Sequence, residues 1–279
     1  MVECMGGGAM KLTEFFYKFG FRPNYKFFPS IKTSVGNYGG KNVEFYQWRE
    51  PKAKDLKLNT DEISELSSII KKGDTAIDVG AHIGDSTLPI ALACGPKGKV
   101  FAFEPNPIVF ATLAKNAEIN TDLTKIIAIP FACTDEDVQM DFKYSEASMS
   151  NGGDKSNAGF RDGHTFPMPV NGLNPLSFLE DRYAADLEKL SYIKIDVEGF
   201  DYLVLKQFET LIDRQKPFIK FEIAKFTSNN MRTSLQSFFK DKSYKFYRVN
   251  EEQNKLAGFE TGNDIFFYPS HCDVFCVPT

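Results

Sequence analysis

The sequence predicts an α/β fold with a mainly parallel sheet. Short runs of β-branched and aromatic residues alternate with helical patterns through the central two-thirds of the chain, which is typical of βαβ units. The chain has 279 residues, of which 42% are hydrophobic and 25% are charged, as is ordinary for a globular protein. Twenty-seven phenylalanines supply enough apolar side chains for a large core, which excludes disorder as the main state.

Sequence signals place the elements in order. Asn59 or Thr60 is expected to cap a helix over 60–72 that ends at Gly73. Strands are predicted at 75–79, 99–104, 125–132, 192–197 and 217–223, with closing strands near 244–249, 264–268 and 273–277. Further helices are predicted from Gly84 to about Cys94, after Asn106-Pro107, after Asn174-Pro175, after the fourth strand and near 230–241. The polar, glycine-rich stretch 144–172 predicts a long loop.

Three segments are expected: a disordered leader or tag at 1–10, an extension at 11–73 and the main domain at 74–279. The first ten residues contain no apolar run of signal-peptide length, so secretion is not expected. The sequence contains no run of 18 apolar residues, so no membrane-spanning helix is expected. Five cysteines without a CxxC pair predict reduced thiols in a cytoplasmic protein rather than a disulfide framework.

The extension begins with a basic and aromatic front. Residues 11–57 hold ten Lys/Arg against four Asp/Glu, and twelve of the aromatic residues, in a chain of net charge −4. The net charge argues against a general nucleic-acid binder. Apolar spacing predicts an amphipathic helix at 12–19, followed by a strand pair. Three roles stay open for the extension: packing on the main domain, a lid over a substrate pocket, or weak contact with a membrane surface.

Acidic residues close several of the predicted parallel strands. In an open α/β sheet, ligands bind at the carboxyl ends of the strands. Asp78, Glu104, Asp196 and Glu222 lie there, and Glu198 follows directly after the fourth strand. The sequence therefore predicts an acidic binding site at this edge of the sheet.

The turn after the first of these strands contains Gly80, His82 and Gly84. A dinucleotide-binding turn would have glycine at the position of His82, so that backbone could approach a pyrophosphate. The turn therefore favours a nucleoside ligand without a diphosphate. Glu104 follows Gly80 by 24 residues and is placed to bind both ribose hydroxyls. This is the arrangement expected for S-adenosylmethionine (SAM), whose positive sulfonium suits acidic surroundings.

Three segments carry a family resemblance: AIDVGAHIG, IKIDVEGFDYLVL at 193–205, and KPFIKFEI. Over about residues 74–268 the chain resembles the FkbM family of SAM-dependent methyltransferases. The resemblance implies a Rossmann-like class I methyltransferase fold, with a mostly parallel seven-stranded sheet, helices on both faces and an N-terminal extension. It implies O-methylation of a small molecule or sugar hydroxyl. His82 departs from the family, in which Asn is common at that position.

The resemblance also implies roles for individual residues. Asp78 and Gly80 would hold the methionine end of SAM, within the turn that also contains His82 and Gly84. Glu104 would bind the ribose. The adenine edge would lie against the stretch from Ala132 to Asp135. Asp196 would lie beside the transferred methyl group.

A hydroxyl acceptor that must lose its proton needs a base. Asp196, Glu198 and His164 are the candidates, and Glu222 is expected to converge on the same pocket. Carboxylates this close repel one another. The SAM sulfonium, a protonated acid, Lys194 or Lys220, or a divalent cation such as Mg²⁺ or Ca²⁺ on Asp196, Glu198 and Glu222 would offset the repulsion. For Glu198, helix capping is a structural alternative.

Two other functions remain open at this stage. A nicotinamide-dependent oxidoreductase is disfavoured by His82 and by the lack of an evident hydride-transfer pair. A non-catalytic SAM-binding scaffold would share the glycine turn but would not depend on Asp196. A zinc site at His271, Cys272 and Cys276 is disfavoured, because no fourth ligand lies nearby in the sequence. The oligomeric state is not predicted.

Overall fold

The computed structural model describes residues 26–144, 166–225, 227–250 and 255–279. The strands in these ranges are β1 (Ser30–Tyr38), β2 (Lys41–Trp48), β3 (Thr75–Val79), β4 (Lys99–Phe103), β5 (Ile126–Ile129), β6 (Ala132–Cys133), β7 (Val138–Tyr144), β8 (Phe166–Leu173), β9 (Leu190–Ile195), β10 (Phe218–Ile223), β11 (Tyr244–Asn250), β12 (Lys255–Thr261) and β13 (Cys272–Pro278). The helices are α1 (Thr60–Ile69), α2 (Thr87–Cys94), α3 (Pro107–Ala117), α4 (Pro175–Leu187), α5 (Asp201–Gln207), α6 (Glu209–Gln215) and α7 (Asn229–Phe239), with a 3₁₀ helix at Asn263–Phe267.

A large central sheet has the strand order β12-β11-β13-β10-β9-β3-β4-β5. The five strands from β10 to β5 are parallel. The pairs β10–β13, β13–β11 and β11–β12 are each antiparallel. The predicted α/β class with a mostly parallel seven-stranded sheet is confirmed, and β12 adds an eighth strand at one edge. The chain builds outward from β3 to β5 on one side and from β9 on the other, so the topological switch point lies between β3 and β9.

Helices cover both faces of this sheet because every central strand presents apolar side chains to both sides. One apolar cluster joins Ile77, Phe101 and Ile193 to side chains of α4, α5, α6 and α7. The alternate residues of the same strands, Ala76 and Val100, pack with α1, α2 and α3. The predicted covering of both faces is therefore confirmed, and the carboxyl ends of the strands stay accessible at one edge.

Asparagine caps start three of the helices. The Asn59 side chain accepts from two backbone N–H groups of the first turn of α1, Asn106 accepts from the Ile108 N–H in α3, and Asn174 accepts from the Ser177 N–H in α4. Such a cap contributes about 1 kcal/mol to helix stability. The sequence signals for these helix starts are confirmed.

Three of the predicted elements differ in the structure. The segment 264–268, predicted as a strand, belongs largely to the 3₁₀ helix, because the buried Arg232 guanidinium donates hydrogen bonds to the carbonyl oxygens of Phe266 and Tyr268. The predicted strand over 125–132 is divided at Pro130 into β5 and β6, since proline cannot donate to a sheet ladder. The prediction of a long loop over 144–172 is wrong at the C-terminal end of that range, where the chain forms β8, which pairs antiparallel with β7.

An antiparallel hairpin of β1 and β2, hereafter the hairpin, packs on the end of α3. Its apolar side chains Val35, Val43 and Phe45 are buried in one cluster with residues of α2. The predicted strand pair is thus confirmed, whereas the predicted helix at 12–19 lies outside the described residues. None of the described helices is long and apolar enough to cross a membrane.

Candidate active site

A cavity of about 620 Å³ opens at the carboxyl ends of β3, β4 and β9. It lies at the topological switch point, where open α/β sheets bind ligands. Its wall includes Gly80, His82, Glu104, Asp196 and Glu198. The structure therefore brings together residues from three strand ends that the sequence separates by up to 118 positions.

The glycine turn, residues 80–84, requires glycine at both ends. Gly80 has φ +79°, and a Cβ there would lie 2.0 Å from the Asp196 carbonyl oxygen. Gly84 has φ +93°, and a Cβ there would lie 3.0 Å from Leu113 Cδ1. Because real Cβ atoms never approach backbone oxygen so closely, only glycine lets the end of β3 touch the end of β9.

His82 occupies the middle of the turn with φ 50°, a conformation that costs a non-glycine residue about 1–2 kcal/mol. Its backbone N–H donates to Glu104 Oε2 at 2.8 Å. Its ring meets the Trp48 ring edge-on, with 5.7 Å between the centroids. Burial lowers the pKa of His82, which favours the neutral imidazole, and its buried Nε2 makes no hydrogen bond within the described residues.

Glu104 lines the cavity with a side chain that is only 7% exposed. Its two oxygens accept from the backbone N–H groups of His82 and Asn106, both at 2.8 Å. Burial raises the pKa of Glu104 to about 7, although the two N–H donors oppose this shift. A carboxylate has about four acceptor positions, so Glu104 keeps capacity to accept from a pair of ligand hydroxyls.

Asp78 is enclosed rather than exposed to the cavity. Its side chain is fully buried, and Oδ2 accepts from Ser86 Oγ at 3.0 Å and Thr87 Oγ1 at 2.6 Å. Asp78 is absent from the described cavity wall. The structure thus gives Asp78 a place beneath the turn, where it holds the start of α2, and its contact with the methionine end of SAM stays a prediction.

Lys194 connects two of the acidic residues. Its Nζ lies 3.5 Å from both Asp78 Oδ1 and Asp196 Oδ2, and its side chain is 12% exposed. Burial lowers the pKa of Lys194, but attraction to the two carboxylates outweighs burial and raises it overall. Lys194 is one of the two lysines predicted to offset the acidic residues, and it pairs with Asp196. Lys220, the other candidate, pairs instead with Asp273 at 2.7 Å.

Glu222 lies one position beyond the register pair Phe221 and Ile195, beside Asp196. Its Oε1 is 2.6 Å from His271 Nδ1, and its side chain is 12% exposed. Burial and the neighbouring Asp196 raise the pKa of Glu222 to about 7. Asp196 and Glu198 lie on the described cavity wall, whereas Glu222 is not one of its described residues.

The remaining predicted site residues either line the cavity or lie outside the described residues. Ala132 and Asp135 line the cavity, next to Phe131. His164 lies outside the described residues. No three His, Cys, Asp or Glu side chains within the described ranges are arranged to hold a metal ion. A divalent cation on Asp196, Glu198 and Glu222, one of the alternatives for offsetting their repulsion, therefore finds no support in the structure.

Sequence reasoning missed the apolar side of the cavity. Phe142 and Tyr144 of β7 and Phe200 and Leu203 near α5 line it. They come from the small sheet of β6, β8 and β7 and from the start of α5, and no local pattern brings them together. The fold and this site define a Rossmann-like α/β protein with a nucleoside-sized cleft at the carboxyl edge of its sheet.

The family model described as the methyltransferase FkbM domain matches residues 78–247. The chain belongs to the FkbM methyltransferase family. This confirms the resemblance carried by the three sequence segments, and the matched region contains Gly80, Glu104, Asp196 and Glu222.

One curated relative is the hexuronic acid methyltransferase AglP of Haloferax volcanii, 27% identical over 159 residues. The alignment covers 57% of this chain and 59% of AglP, so the chain spans less than two-thirds of that relative. Two similar solved structures are the methyltransferase FkbM of Methylobacillus flagellatus, with 13% identity over 77% of this chain and 51% of that one, and the Bacillus cereus O-methyltransferase in complex with SAH, with 13% identity over 81% and 84%. Both TM-scores are 0.44.

Proposed function

We propose that this protein is a SAM-dependent methyltransferase that methylates a hydroxyl group of a small molecule, most simply a sugar. One observation carries the proposal. Gly80 brings the end of β3 against the Asp196 backbone, and Glu104 stands beside both on the wall of one cavity. All three residues lie in the segment matched by the FkbM family model.

The described residues fit SAM. A cavity of about 620 Å³ lies within the range of small-molecule sites. The absence of a side chain at Gly80 lets the end of β3 lie against the Asp196 backbone, and Glu104 keeps acceptor capacity for ribose hydroxyls. Asp196 and Glu198 give the site negative charge, which suits a cation. Ala132 and Asp135 would hold the adenine edge.

SAM supplies a methyl group on a positively charged sulfur, which activates that carbon for in-line displacement. The protein then has to align the acceptor oxygen, an effect worth up to ~7–11 kcal/mol. Lys194 holds Asp196 at the mouth of the cavity. We propose that Asp196 or Glu198 accepts the hydroxyl proton, which would add ~10²–10⁴-fold, and that Glu222 and His271 support Asp196 from behind.

The charge of the cavity wall favours a neutral acceptor over an anionic one. The acidic side chains of the wall are Asp85, Glu104, Asp135, Asp196 and Glu198, whereas Lys194 is the one Lys or Arg side chain on the described wall. A carboxylate on the acceptor would be repelled by these acidic residues. The name of AglP, a hexuronic acid methyltransferase, supports a sugar as the acceptor, and we propose that a sugar hydroxyl receives the methyl group.

Ligand binding separates this proposal from its alternatives. In thermal unfolding, SAM at ~100 times its Kd should stabilise the protein by ~2.7 kcal/mol, whereas NAD should have no effect. Stabilisation by NAD and none by SAM would contradict the proposal in favour of an oxidoreductase. A scaffold that binds SAM without catalysis would form no SAH with any acceptor in a panel of neutral sugars and uronic acids. Faster turnover of uronic acids than of neutral sugars would contradict the neutral acceptor.

We also propose that residues 74–279 form the catalytic domain and that residues 11–73 pack on it. The hydrogen bonds that join the hairpin to Asn116 of α3 and to Asn120 beyond its end support this packing. The four described cysteines are free thiols, which suits a reducing compartment, and we propose that the protein acts in the cytoplasm.

A further inference from the structure

Asn116, at the end of α3, touches both the hairpin and the glycine turn. Its side chain is only 3% exposed. Oδ1 accepts from the Tyr46 N–H at 2.7 Å, and Nδ2 donates to the Tyr46 carbonyl at 3.3 Å and to the Ile83 carbonyl at 2.9 Å. One buried amide therefore links the middle of β2 to the backbone of the turn.

Two further contacts join the hairpin to the turn. The Trp48 ring meets the His82 ring edge-on, and the Trp48 indole N–H donates to the Phe28 carbonyl at 3.2 Å. The Ile83 side chain is buried in the apolar cluster that contains Val43 and Phe45 of β2. Both side chains of the turn that lie between Ala81 and Gly84 therefore pack against β2 or its end.

The turn needs external support because its backbone is unfavourable. Gly80, His82 and Gly84 all have positive φ, and for His82 this costs about 1–2 kcal/mol. The His82 N–H is also one of the two donors that hold Glu104. A shift of the Ile83 peptide would therefore move both the turn and the carboxylate placed for the ribose.

We propose that Asn116 is a positioning residue that couples the hairpin to SAM binding, by holding the Ile83 carbonyl and with it the glycine turn. The hairpin thus belongs functionally to the SAM site, although the described cavity wall contains no residue of β1 or β2. This inference rests on the proposed function, since it takes the turn to be the one that binds SAM.

Asn120 provides a matched control one turn further along the chain. It binds the hairpin in the same way, because Oδ1 accepts from the Glu44 N–H at 3.0 Å and Nδ2 donates to the Glu44 carbonyl at 2.8 Å. Its described hydrogen bonds reach no residue of the turn. Asn120→Gly is the suitable variant because Asn120 has φ 56°, which glycine adopts without strain.

The experiment compares SAM binding by isothermal titration calorimetry for the wild type, Asn116→Ala and Asn120→Gly in the full chain. Asn116→Ala is expected to weaken SAM binding about 5-fold or more, the lower end of the usual coupling between sites, while Asn120→Gly stays close to the wild type. If Asn116→Ala does not fold, Asn116→Leu replaces it, because leucine is close to asparagine in size and cannot donate to the Ile83 carbonyl.

Hydrogen exchange gives a second measurement that a purely structural role would not change. Coupling is reciprocal, so SAM should slow exchange of the Arg49 amide, which follows β2 and donates to the Pro29 carbonyl rather than to either asparagine, in the wild type and in Asn120→Gly. This SAM-dependent protection should disappear in Asn116→Ala. Equal losses of affinity in the Asn116 and Asn120 variants, or unchanged affinity in both, would overturn the inference while the proposed function stands. A wild type that does not bind SAM would overturn both.

Discussion

Glu104→Gln tests how burial controls the carboxylate in the cavity wall. The pKa of Glu104 is raised by burial from its ordinary 4.5 to about 7, a difference that corresponds to roughly 3 kcal/mol between the two protonation states. Because the folded pKa exceeds the unfolded one, the folded protein keeps a proton that the unfolded chain releases between these values. The contribution of Glu104 to stability is therefore complete below pH 4.5 and is lost as pH rises through about 7.

Glutamine carries no charge, so it removes this pH dependence. It also cannot accept from both of the N–H groups that Glu104 binds, those of His82 and Asn106, and one buried donor left unpaired costs about 1–3 kcal/mol at every pH. The wild type should therefore be more stable than the variant in acid. This advantage should fall by roughly 3 kcal/mol as the pH approaches neutrality, which brings the two proteins close together or reverses their order.

Urea unfolding of both proteins from about pH 5 to about pH 8 measures this difference. Subtracting the two free energies of unfolding cancels other groups that titrate in the same range, including Glu222. Glu118→Gln is the control, because the Glu118 side chain is exposed. A difference between wild type and Glu104→Gln that stays constant over this pH range would refute the reasoning, since the carboxylate would then be ionised throughout.

Three further substitutions test the site. Gly80→Ala should destabilise the protein by about 1–3 kcal/mol and weaken SAM binding, because its Cβ would meet the Asp196 carbonyl oxygen; an unchanged melting temperature and unchanged calorimetric affinity would contradict this. Lys194→Met should cost about 3–5 kcal/mol in urea unfolding, because it leaves the fully buried Asp78 without its cation; a wild-type unfolding midpoint would show that Ser86 and Thr87 suffice. Asp196→Asn should lower SAH formation by ~10²–10⁴-fold with SAM affinity near that of the wild type; full activity would remove Asp196 as the base.

The predictable part of the site follows from one general property of parallel sheets. Gly80, Glu104 and Asp196 each end or follow a strand, and the carboxyl ends of parallel strands lie at one edge. Their convergence on one cavity was therefore visible in the sequence. The buried position of Asp78 was not visible in the sequence. The Ser86 and Thr87 hydroxyls donate to Asp78 only because the fold places the start of α2 beside it.

Other partnerships could not be predicted because they join distant parts of the chain. His271 reaches Glu222 because β13 inserts antiparallel between β10 and β11, a strand order that no local pattern encodes. The aromatic segment at 264–268 has the composition of a strand, but its carbonyl groups bind the Arg232 side chain. In both cases, the local conformation depends on a contact with a residue far away in the chain.

The sequence by itself determined the α/β class, the order of the parallel strands and the acidic edge of the sheet, because these depend on hydrophobic periodicity and local glycine and capping signals. The family followed from the resemblance of three sequence segments. The tertiary structure alone decided which acidic residues face the cavity, that Lys194 lies between Asp78 and Asp196, and that Asn116 ties the hairpin to the glycine turn. Those arrangements depend on distances between residues far apart in the chain, which only the packed fold sets.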